Sequence, residues 1–408
     1  MARLLKSGLI NAAIVAASLA LTYLVTEFVF FRFLLADLPP NLRPYLSDRA
    51  RIFAQTSSAH EAPQDYVALL GDSYAEGVGD WMLAAGGERS RPFGSADVVH
   101  ALSGRDVASF GHAGAGSAEA MVLRVARILG GGTCYAFPSV EPPKRFVVYF
   151  YEGNDLDDNN TLIERDIHAR GPNLAASTDA FLERDYGLES HWQCYDHLRE
   201  MVVRMGRFVI RRQLRRESFV DLPMSRNRVV IAGMPTAAPE LQLPSMALGE
   251  QEIADGITVF DRSLAWLRQH FPGVPVTVIY IPAPSATYRH NNAGVVGRDI
   301  YVPEESRKSG RAVVVDGDTF PVSGIYARSQ RICEGIRAAT LKNGAGFVDT
   351  RPALRAAGAR APVHGPRDWK HVNETGYRLI GALVTQHLDD RLAETCDDRW
   401  PGVSADKN

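Results

Sequence analysis

Cysteine is scarce in this sequence, with four residues in a chain of 408. They stand far apart, at Cys134, Cys194, Cys333 and Cys396, so that no Cys-x-x-Cys pair offers the spacing of a zinc site. Four cysteines allow two disulfides in three pairings. The pairing of neighbours, Cys134 with Cys194 and Cys333 with Cys396, is one expectation, and four buried free thiols are the other.

An excess of charge of either sign is also missing. The chain has 45 Lys and Arg against 47 Asp and Glu, which gives a net charge of −2. Binding to a nucleic-acid backbone needs a strongly positive face, so nucleic acid is not expected as a partner. No internal repeat, metal-ligand cluster or phosphate-cradling glycine loop is visible, and no cofactor is expected. The hydrophobic share of 46% suits a globular core.

The amino terminus contains an uncharged, mostly apolar run from Gly8 to Thr26, preceded by Arg3 and Lys6. A helix of about 20 residues crosses the hydrocarbon core of a membrane. A cleavable signal peptide has a shorter apolar region, so residues 1–35 are predicted to form an uncleaved transmembrane anchor. A cleaved signal and a buried amphipathic helix are the alternatives. The positive charge before the run places the amino terminus in the cytoplasm and the rest of the chain outside the inner membrane, in the periplasm or beyond.

The segment 36–64 is predicted to be a linker, because it is rich in proline and polar residues and shows no sustained periodicity. Residues 65–395 alternate strands with helices, which predicts an α/β fold, a flavodoxin-like three-layer α/β/α arrangement with a five-stranded parallel sheet. A helical insertion is expected over 156–275 and a tail over 396–408. The predicted strands are Tyr66–Leu70, Asp106–Phe110, Phe146–Phe150, Val276–Ile281 and Gly346–Asp349, and the clearest helices are Ser117–Leu129 and Glu250–His270.

A serine follows the first predicted strand, in the run Gly71-Asp72-Ser73. The glycine lets the backbone turn sharply, and the hydroxyl is left at the carboxyl end of the strand, where open α/β sheets place their ligands. Far downstream, Asp368 and His371 are three residues apart, so that the carboxylate can orient the imidazole within one loop. A serine, a histidine and an orienting aspartate are the parts needed for nucleophilic acyl transfer.

Together these segments resemble the SGNH, or GDSL-type, family of hydrolases and O-acyltransferases, whose members carry four short blocks in a fixed order. The run Gly71 to Ser73 matches the first block, and Asp368 with His371 matches the fourth. The second block is a glycine after the second strand. For that block the family spacing favours Gly114, with Gly111 as the second candidate.

The third block of the family is an Asn-Asp pair after a strand, matched here by Asn154 and Asp155. Its commonest form is Gly-x-Asn-Asp, whereas in this chain Gly153 directly precedes the asparagine. The resemblance spans about residues 65 to 390, and the ordered set of four blocks is far more specific than any one block.

The resemblance implies a role for each matched residue. Ser73 is the expected nucleophile, His371 the base that takes its proton, and Asp368 the group that holds the imidazole. The oxyanion is expected to meet three donors, namely the backbone N–H groups of Ser73 and Gly114 and the side-chain amide of Asn154. Taken singly, each of these residues has an ordinary structural role as its alternative.

Other polar residues near the blocks have more modest expected roles. Asp72 and Asp155 are predicted to hold loops by hydrogen bonds. His112, beside the favoured glycine, is predicted to pack or to line the substrate site. His364 could compete with His371 as the base, but it lacks a paired acid at the family spacing.

The acceptor of the acyl group is not decided by these motifs, because hydrolysis and transfer share the triad and the oxyanion hole. The favoured function is a serine esterase that cleaves an O-acetyl or short acyl ester on a small molecule, glycan or lipid. One alternative is an O-acetyltransferase that modifies an exported polysaccharide, with a membrane protein as its acyl donor. The other is a carbohydrate-binding module on an SGNH scaffold without catalytic activity.

Overall fold

The structure is a computed structural model of the chain. Cys134 and Cys194, the first expected disulfide, lie outside the residues that it describes. The described residues are 2–30, 35, 38, 40–59, 63–80, 94–130, 139–167, 173–186, 199, 201–206, 226–297, 318–389, 394–397 and 400.

A parallel five-stranded sheet forms the centre of the fold. Its strands follow one another in the spatial order β2-β1-β3-β4-β5, which is the order of a doubly wound, flavodoxin-like sheet. The predicted α/β fold with a five-stranded parallel sheet is therefore confirmed. The strands are β1 Val67–Leu70, β2 Val107–Ser109, β3 Arg145–Tyr151, β4 Val276–Ile281 and β5 Gly346–Asp349.

Helices cover both faces of the sheet. Side chains of a strand alternate between faces, so Ala68 and Leu70 of β1 enter one core while Val67 and Leu69 enter the other. The helices are α1 Ala2–Val25, α2 Asp48–Phe53, α3 Ser73–Glu76, α4 Ser95–Ser103, α5 Arg124–Leu129, α6 Asp155–Leu162, α7 Leu174–Tyr186, α8 Glu250–His270, α9 Pro284–Thr287, α10 Val322–Lys342, α11 Arg351–Gly358 and α12 Glu374–Gln386, with a π-helical turn Glu119–Leu123 before α5.

Helix α8 shows how the sequence pattern leads to packing. Apolar residues recur every three or four positions, so that Ile253, Phe260 and Leu264 lie on one side and are buried in the core. At its start the Glu252 carboxylate accepts a hydrogen bond of 2.7 Å from the Gly249 N–H. This bond satisfies a backbone donor that has no partner within the helix. The predicted bounds of α8 are confirmed.

Helix α1 is exposed along most of its described length and continues into a π-helical turn, Thr26–Phe30. The stretch Ile10–Val29 has a mean hydropathy of 1.8, and 6% of its most apolar window is buried. By length and composition this helix could cross a membrane.

The prediction of a free linker over the whole of 36–64 differs from the structure. The described part of that segment packs onto the domain. Helix α2 lies within it, and the side chains of Leu46, Ile52 and Phe53 are buried in the core. The Ser47 hydroxyl caps the helix by accepting a hydrogen bond of 3.3 Å from the Ala50 N–H. A helix of six residues is too short for its buried apolar positions and its cap to produce a periodic pattern in the sequence.

The insertion over 156–275 is not wholly helical. It contains α7, α8 and most of α6, but also an antiparallel hairpin of strands Asn227–Ile231 and Met234–Ala238. Ala232 and Gly233 connect the strands with positive φ angles of 51° and 77°, as a two-residue hairpin turn requires. Outside this segment, the strands Gly294–Val296 and Thr319–Pro321 form a second antiparallel pair.

The beginning of the expected tail is attached to the domain. Cys396 forms a disulfide with Cys333 of α10, which confirms one of the two pairings of neighbours. Beyond it, the Trp400 ring lies 4.8 Å from the guanidinium carbon of Arg355. Residues 401–408 lie outside the described part of the chain.

Candidate active site

Strand β1 delivers Ser73 to the carboxyl edge of the sheet through a turn that requires glycine. Gly71 has a φ of 146°, and a Cβ there would lie 2.9 Å from the carbonyl oxygen of Tyr149. Ser73 then begins α3, where the Asp72 carboxylate caps the helix by accepting a hydrogen bond of 2.9 Å from the Tyr74 N–H. The turn and the cap together fix the position of the serine hydroxyl.

Three of the predicted site residues form one hydrogen-bonded chain. Nε2 of His371 lies 2.8 Å from Oγ of Ser73, although 298 residues separate them in the sequence. Nδ1 of the same ring lies 2.6 Å from Oδ2 of Asp368. Ser73 and His371 are buried, at 5% and 8% exposed, whereas Asp368 is partly exposed. This is the order of contacts in a Ser-His-Asp triad.

The electrostatics of Asp368 favour its ionised form. Burial raises the pKa of this carboxyl, but hydrogen bonds from the His371 ring and from the backbone N–H groups of His371 and Lys370 outweigh burial. The pKa of Asp368 therefore lies below its ordinary value. An ionised Asp368 accepts a hydrogen bond from the Nδ1–H of His371, which leaves the Nε2 lone pair facing the Ser73 hydroxyl.

The Ser73 hydroxyl also contacts its sequence neighbour. Its oxygen lies 3.1 Å from Oδ2 of Asp72, which is a second, more distant acceptor for the one hydroxyl proton, while the other oxygen of that carboxyl caps α3. Asp72 is completely buried, and burial raises the pKa of its carboxyl. The predicted loop-holding role of Asp72 matches these contacts.

Gly114 lies at an exposed turn in the loop after β2, with a φ of 78°. On either side of it, the Ala113 N–H donates to the Glu76 carboxylate at 2.7 Å and the Ala115 N–H donates to the His112 carbonyl at 3.0 Å. Within the described residues, the N–H of Gly114 itself donates to no backbone or side-chain acceptor. Gly111, the second candidate, is packed so closely that a Cβ would overlap the backbone of Glu76.

Asn154 lies three residues after the end of β3, at the N-cap of α6. Its Nδ2 donates to Oδ2 of Asp158 at 2.9 Å, and its Oδ1 is buried without a hydrogen-bond partner in the described part of the chain. The structure therefore joins Ser73, His371 and Asp368 directly. It places Gly114 and Asn154 at the ends of the two strands that flank β1, without a hydrogen bond to Ser73 among the described residues.

The two other histidines near the blocks have structural contacts. Nδ1 of His364 lies 3.0 Å from the Tyr288 hydroxyl, and burial lowers the pKa of His364 to about 3. That histidine stays neutral and does not contact Ser73 among the described residues. The ring of His112 contacts the Ala113 carbonyl at 2.9 Å, and its backbone N–H donates to the Gly71 carbonyl at 3.2 Å.

Two residues near the triad were not predicted from the sequence. The Asp80 carboxylate accepts hydrogen bonds from the backbone N–H groups of Arg367 and Asp368, at 2.8 and 2.7 Å. The Tyr74 hydroxyl donates to the Lys370 carbonyl at 2.8 Å, and its ring lies 5.4 Å from that of His371. Both brace the loop that carries Asp368 and His371. No local pattern marks them, because their partners lie almost 300 residues away.

Glu152 occupies the position of the glycine in the common pattern Gly-x-Asn-Asp. In this chain the glutamate side chain has a structural role. It is completely buried and accepts hydrogen bonds from the Ala283 N–H at 2.8 Å, the Ser329 hydroxyl at 2.7 Å and the Tyr280 hydroxyl. Burial raises the pKa of this carboxyl. Glu152 thus ties the end of β3 to β4 and α10, while Gly153 makes room for the ring of Tyr151.

One group of possible metal ligands lies in the described part of the chain, formed by Cys333, Asp349 and Cys396. Its two sulfurs are joined in the disulfide, so neither is available as a thiolate ligand. A scan against protein-family models finds no match for this chain, and a search of curated proteins finds none either.

Proposed function

We propose that this chain is a membrane-anchored serine esterase of SGNH type, which cleaves an O-acetyl or other short acyl ester carried by a glycan or lipid. The observation that carries the proposal is the contact of 2.8 Å between Ser73 Oγ and His371 Nε2, with Asp368 at 2.6 Å on the other side of the ring. A neutral serine is a poor nucleophile, and a base in hydrogen-bond contact is what activates it.

The reaction has two halves. Ser73 Oγ attacks the ester carbonyl carbon while His371 takes the hydroxyl proton, and the resulting imidazolium is stabilised by Asp368. The tetrahedral intermediate collapses to an acyl-enzyme, and His371 gives its proton to the departing alcohol. A water molecule, deprotonated by the same histidine, then attacks the acyl-enzyme and releases the carboxylic acid and free Ser73.

Negative charge on the carbonyl oxygen needs donors that are already in place. The N–H groups of Ser73 and Gly114 support this role, because neither donates a hydrogen bond within the described residues. The Asn154 amide supplies the third donor. One of its N–H groups is held by Asp158, which leaves the second free for the oxyanion. Each such donor contributes about 10²- to 10³-fold to the rate.

Helix α1 supports the proposed location of the enzyme. The helix is long and apolar enough to span a membrane, and Arg3 and Lys6 precede the apolar stretch. Because positive charge is retained on the cytoplasmic side, the catalytic domain lies on the periplasmic side of the inner membrane. Esters of exported polysaccharides or of lipids in the outer leaflet are then within reach.

The test is an assay of the purified full chain in detergent with an aryl acetate, beside Ser73→Ala, with and without an unacetylated polysaccharide. The proposal predicts acetate release at the same rate with or without the glycan, and a loss of about 10³-fold or more in the variant. If acetyl groups appear on the glycan, the reaction is O-acetyl transfer and not hydrolysis. If the natural chain and Ser73→Ala release acetate at the same negligible rate, the catalytic role of the triad is refuted. A binding module without catalytic activity is then favoured.

A further inference from the structure

The segment that follows the membrane anchor reaches the candidate oxyanion loop, residues 111–117. Arg51 of α2 forms an ion pair of 2.7 Å between its Nη2 and Oε1 of Glu76. The same nitrogen donates a hydrogen bond of 3.0 Å to the carbonyl oxygen of Gly111. The two side chains of the pair are only 10% and 8% exposed, so solvent screens the pair weakly.

Glu76 connects this arginine with the nucleophile and with the oxyanion loop. It is the last residue of α3, the helix that begins at Ser73. Its Oε2 accepts a hydrogen bond of 2.7 Å from the N–H of Ala113, the residue directly before Gly114. One carboxylate therefore binds the guanidinium on one side and the loop on the other.

The residues after α2 pair with the edge of the sheet that leads into this loop. The Gln55 side chain exchanges two hydrogen bonds of 2.7 Å with the backbone carbonyl and N–H of Ser109, the last residue of β2. Ser57 bonds similarly to Val107, through its hydroxyl at 2.7 Å and its carbonyl at 2.8 Å. Residues 51–57 thus occupy the open side of β2 and fix the starting point of the oxyanion loop.

We propose that Arg51 is a positioning residue for catalysis, which holds the oxyanion loop in register with Ser73 through Glu76 and Gly111. The segment beside the membrane is then part of the catalytic unit. This inference rests on the proposed esterase function for its kinetic consequence, whereas its structural consequence, a loosened loop without Arg51, can be measured independently. Losing the arginine leaves Glu76 buried without its cation and frees the Gly111 carbonyl.

The experiment compares Arg51→Ala and Arg51→Lys in the full chain, in detergent, with an aryl acetate as probe. A misplacement of about 1 Å in a catalytic group can cost about 10²-fold in rate. We expect kcat to fall about tenfold to a hundredfold in Arg51→Ala, with a much smaller change in KM. Arg51→Lys keeps a cation for Glu76, but its side chain is shorter and its ammonium lacks the fixed planar donor directions of the guanidinium, so an intermediate kcat is expected.

Arg351→Lys is the matched control. It perturbs a buried ion pair of 2.8 Å with Asp349, near β5 at the opposite edge of the sheet from β2, where the side chains are 0% and 1% exposed. It should lower the thermal unfolding temperature while leaving kcat close to that of the natural chain. A loss of kcat in Arg51→Ala of the same size as in this control would overturn the positioning role.

Amide hydrogen exchange of residues 111–117, measured on the same proteins, separates this inference from the proposed function. Faster exchange in Arg51→Ala and Arg51→Lys but not in Arg351→Lys supports the contact network, and unchanged exchange overturns it. If the natural chain shows no Ser73-dependent esterase activity, the proposed function fails, and the catalytic role of Arg51 fails with it. If esterase activity depends on Ser73 but not on Arg51, only the present inference fails.

Discussion

Asp80 accepts a hydrogen bond of 2.7 Å from the backbone N–H of Asp368, although 288 residues separate the two in the sequence. The second oxygen of Asp80 accepts from the N–H of Arg367 at 2.8 Å. The carboxylate therefore holds the backbone of Asp368. Asp80 follows α3, so one short stretch of chain connects Ser73 with this anchor of the Asp368 loop.

Removing this carboxylate should loosen the loop that presents Asp368 and His371. Asp80→Ala is expected to lower kcat about tenfold, since a backbone held by two hydrogen bonds loses both and the base is misplaced. Asp80→Asn retains one acceptor oxygen but turns an amide NH2 toward the other backbone N–H, so its kcat should lie between those of the natural chain and Asp80→Ala. Steady-state kinetics with an aryl acetate measure both variants. Full activity in Asp80→Ala would contradict the bracing role of this carboxylate.

Asp158 should act on catalysis through Asn154. Asn154→Ala removes a proposed oxyanion donor and is expected to lower kcat about 10²- to 10³-fold. Asp158→Ala removes the acceptor that holds the Asn154 amide at 2.9 Å. Its kcat should fall, but by less than that of Asn154→Ala. Asp158→Asn still offers an oxygen to the amide and should lie close to the natural chain. If Asp158→Ala also retains full kcat, the amide does not need this partner.

Asp158 should also make stability depend on pH. Burial raises the pKa of its carboxyl well above the ordinary value, and the nearby charges of Asp157 and Asp72 add to this. The folded chain then binds the proton more tightly than the unfolded chain. The stabilisation is full below the unfolded-state pKa of about 4 and is lost as pH rises toward the folded-state pKa.

The variant Asp158→Asn has no such proton to lose. Its thermal unfolding temperature should match that of the natural chain near about pH 4 and exceed it increasingly toward about pH 8. Unfolding followed by circular dichroism at several pH values provides the measurement. A difference between the two proteins that stays constant with pH would contradict the raised pKa.

The Cys333–Cys396 disulfide should stabilise the domain without taking part in the chemistry. It closes a loop between residues 63 apart and ties residues 394–397 to α10. The double variant Cys333→Ala/Cys396→Ala is expected to lose about 2–4 kcal/mol of unfolding free energy. Its kcat at a temperature where it is folded should be unchanged. Denaturant unfolding and an aryl acetate assay on one preparation test both statements.

Much of the sheet and the core of the site could be predicted from sequence, because their signals are local. Val276–Ile281 and Gly346–Asp349 are short apolar runs between turn residues, and their bounds are as predicted. The turn after β1 is encoded in adjacent residues, so Ser73 could be placed at the edge of the sheet. Its contact with His371 was suggested by the family resemblance and is present in the structure.

The parts that could not be predicted depend on distant partners. Arg51 and Asp80 resemble ordinary surface charges until the fold brings Glu76 to one and the Asp368 loop to the other. The segment 36–64 shows no periodicity because its one described α-helix is short and because polar side chains such as Gln55 attach the following residues to a strand edge. In contrast, the hairpin at Asn227–Ile231 had a local signal, an apolar run followed by Ala-Gly, that the prediction of a helical insertion overlooked.

The central claim is that Ser73 is an activated nucleophile, and active-site labelling tests it most directly. The full chain in detergent is treated with a fluorophosphonate, which forms a covalent bond to an activated serine and releases fluoride, and the labelled peptide is identified by mass spectrometry. The account predicts stoichiometric labelling at Ser73 in the natural chain, and none at that position in Ser73→Ala or His371→Ala. An unlabelled natural chain, or a label at Ser73 that persists in His371→Ala, would contradict it.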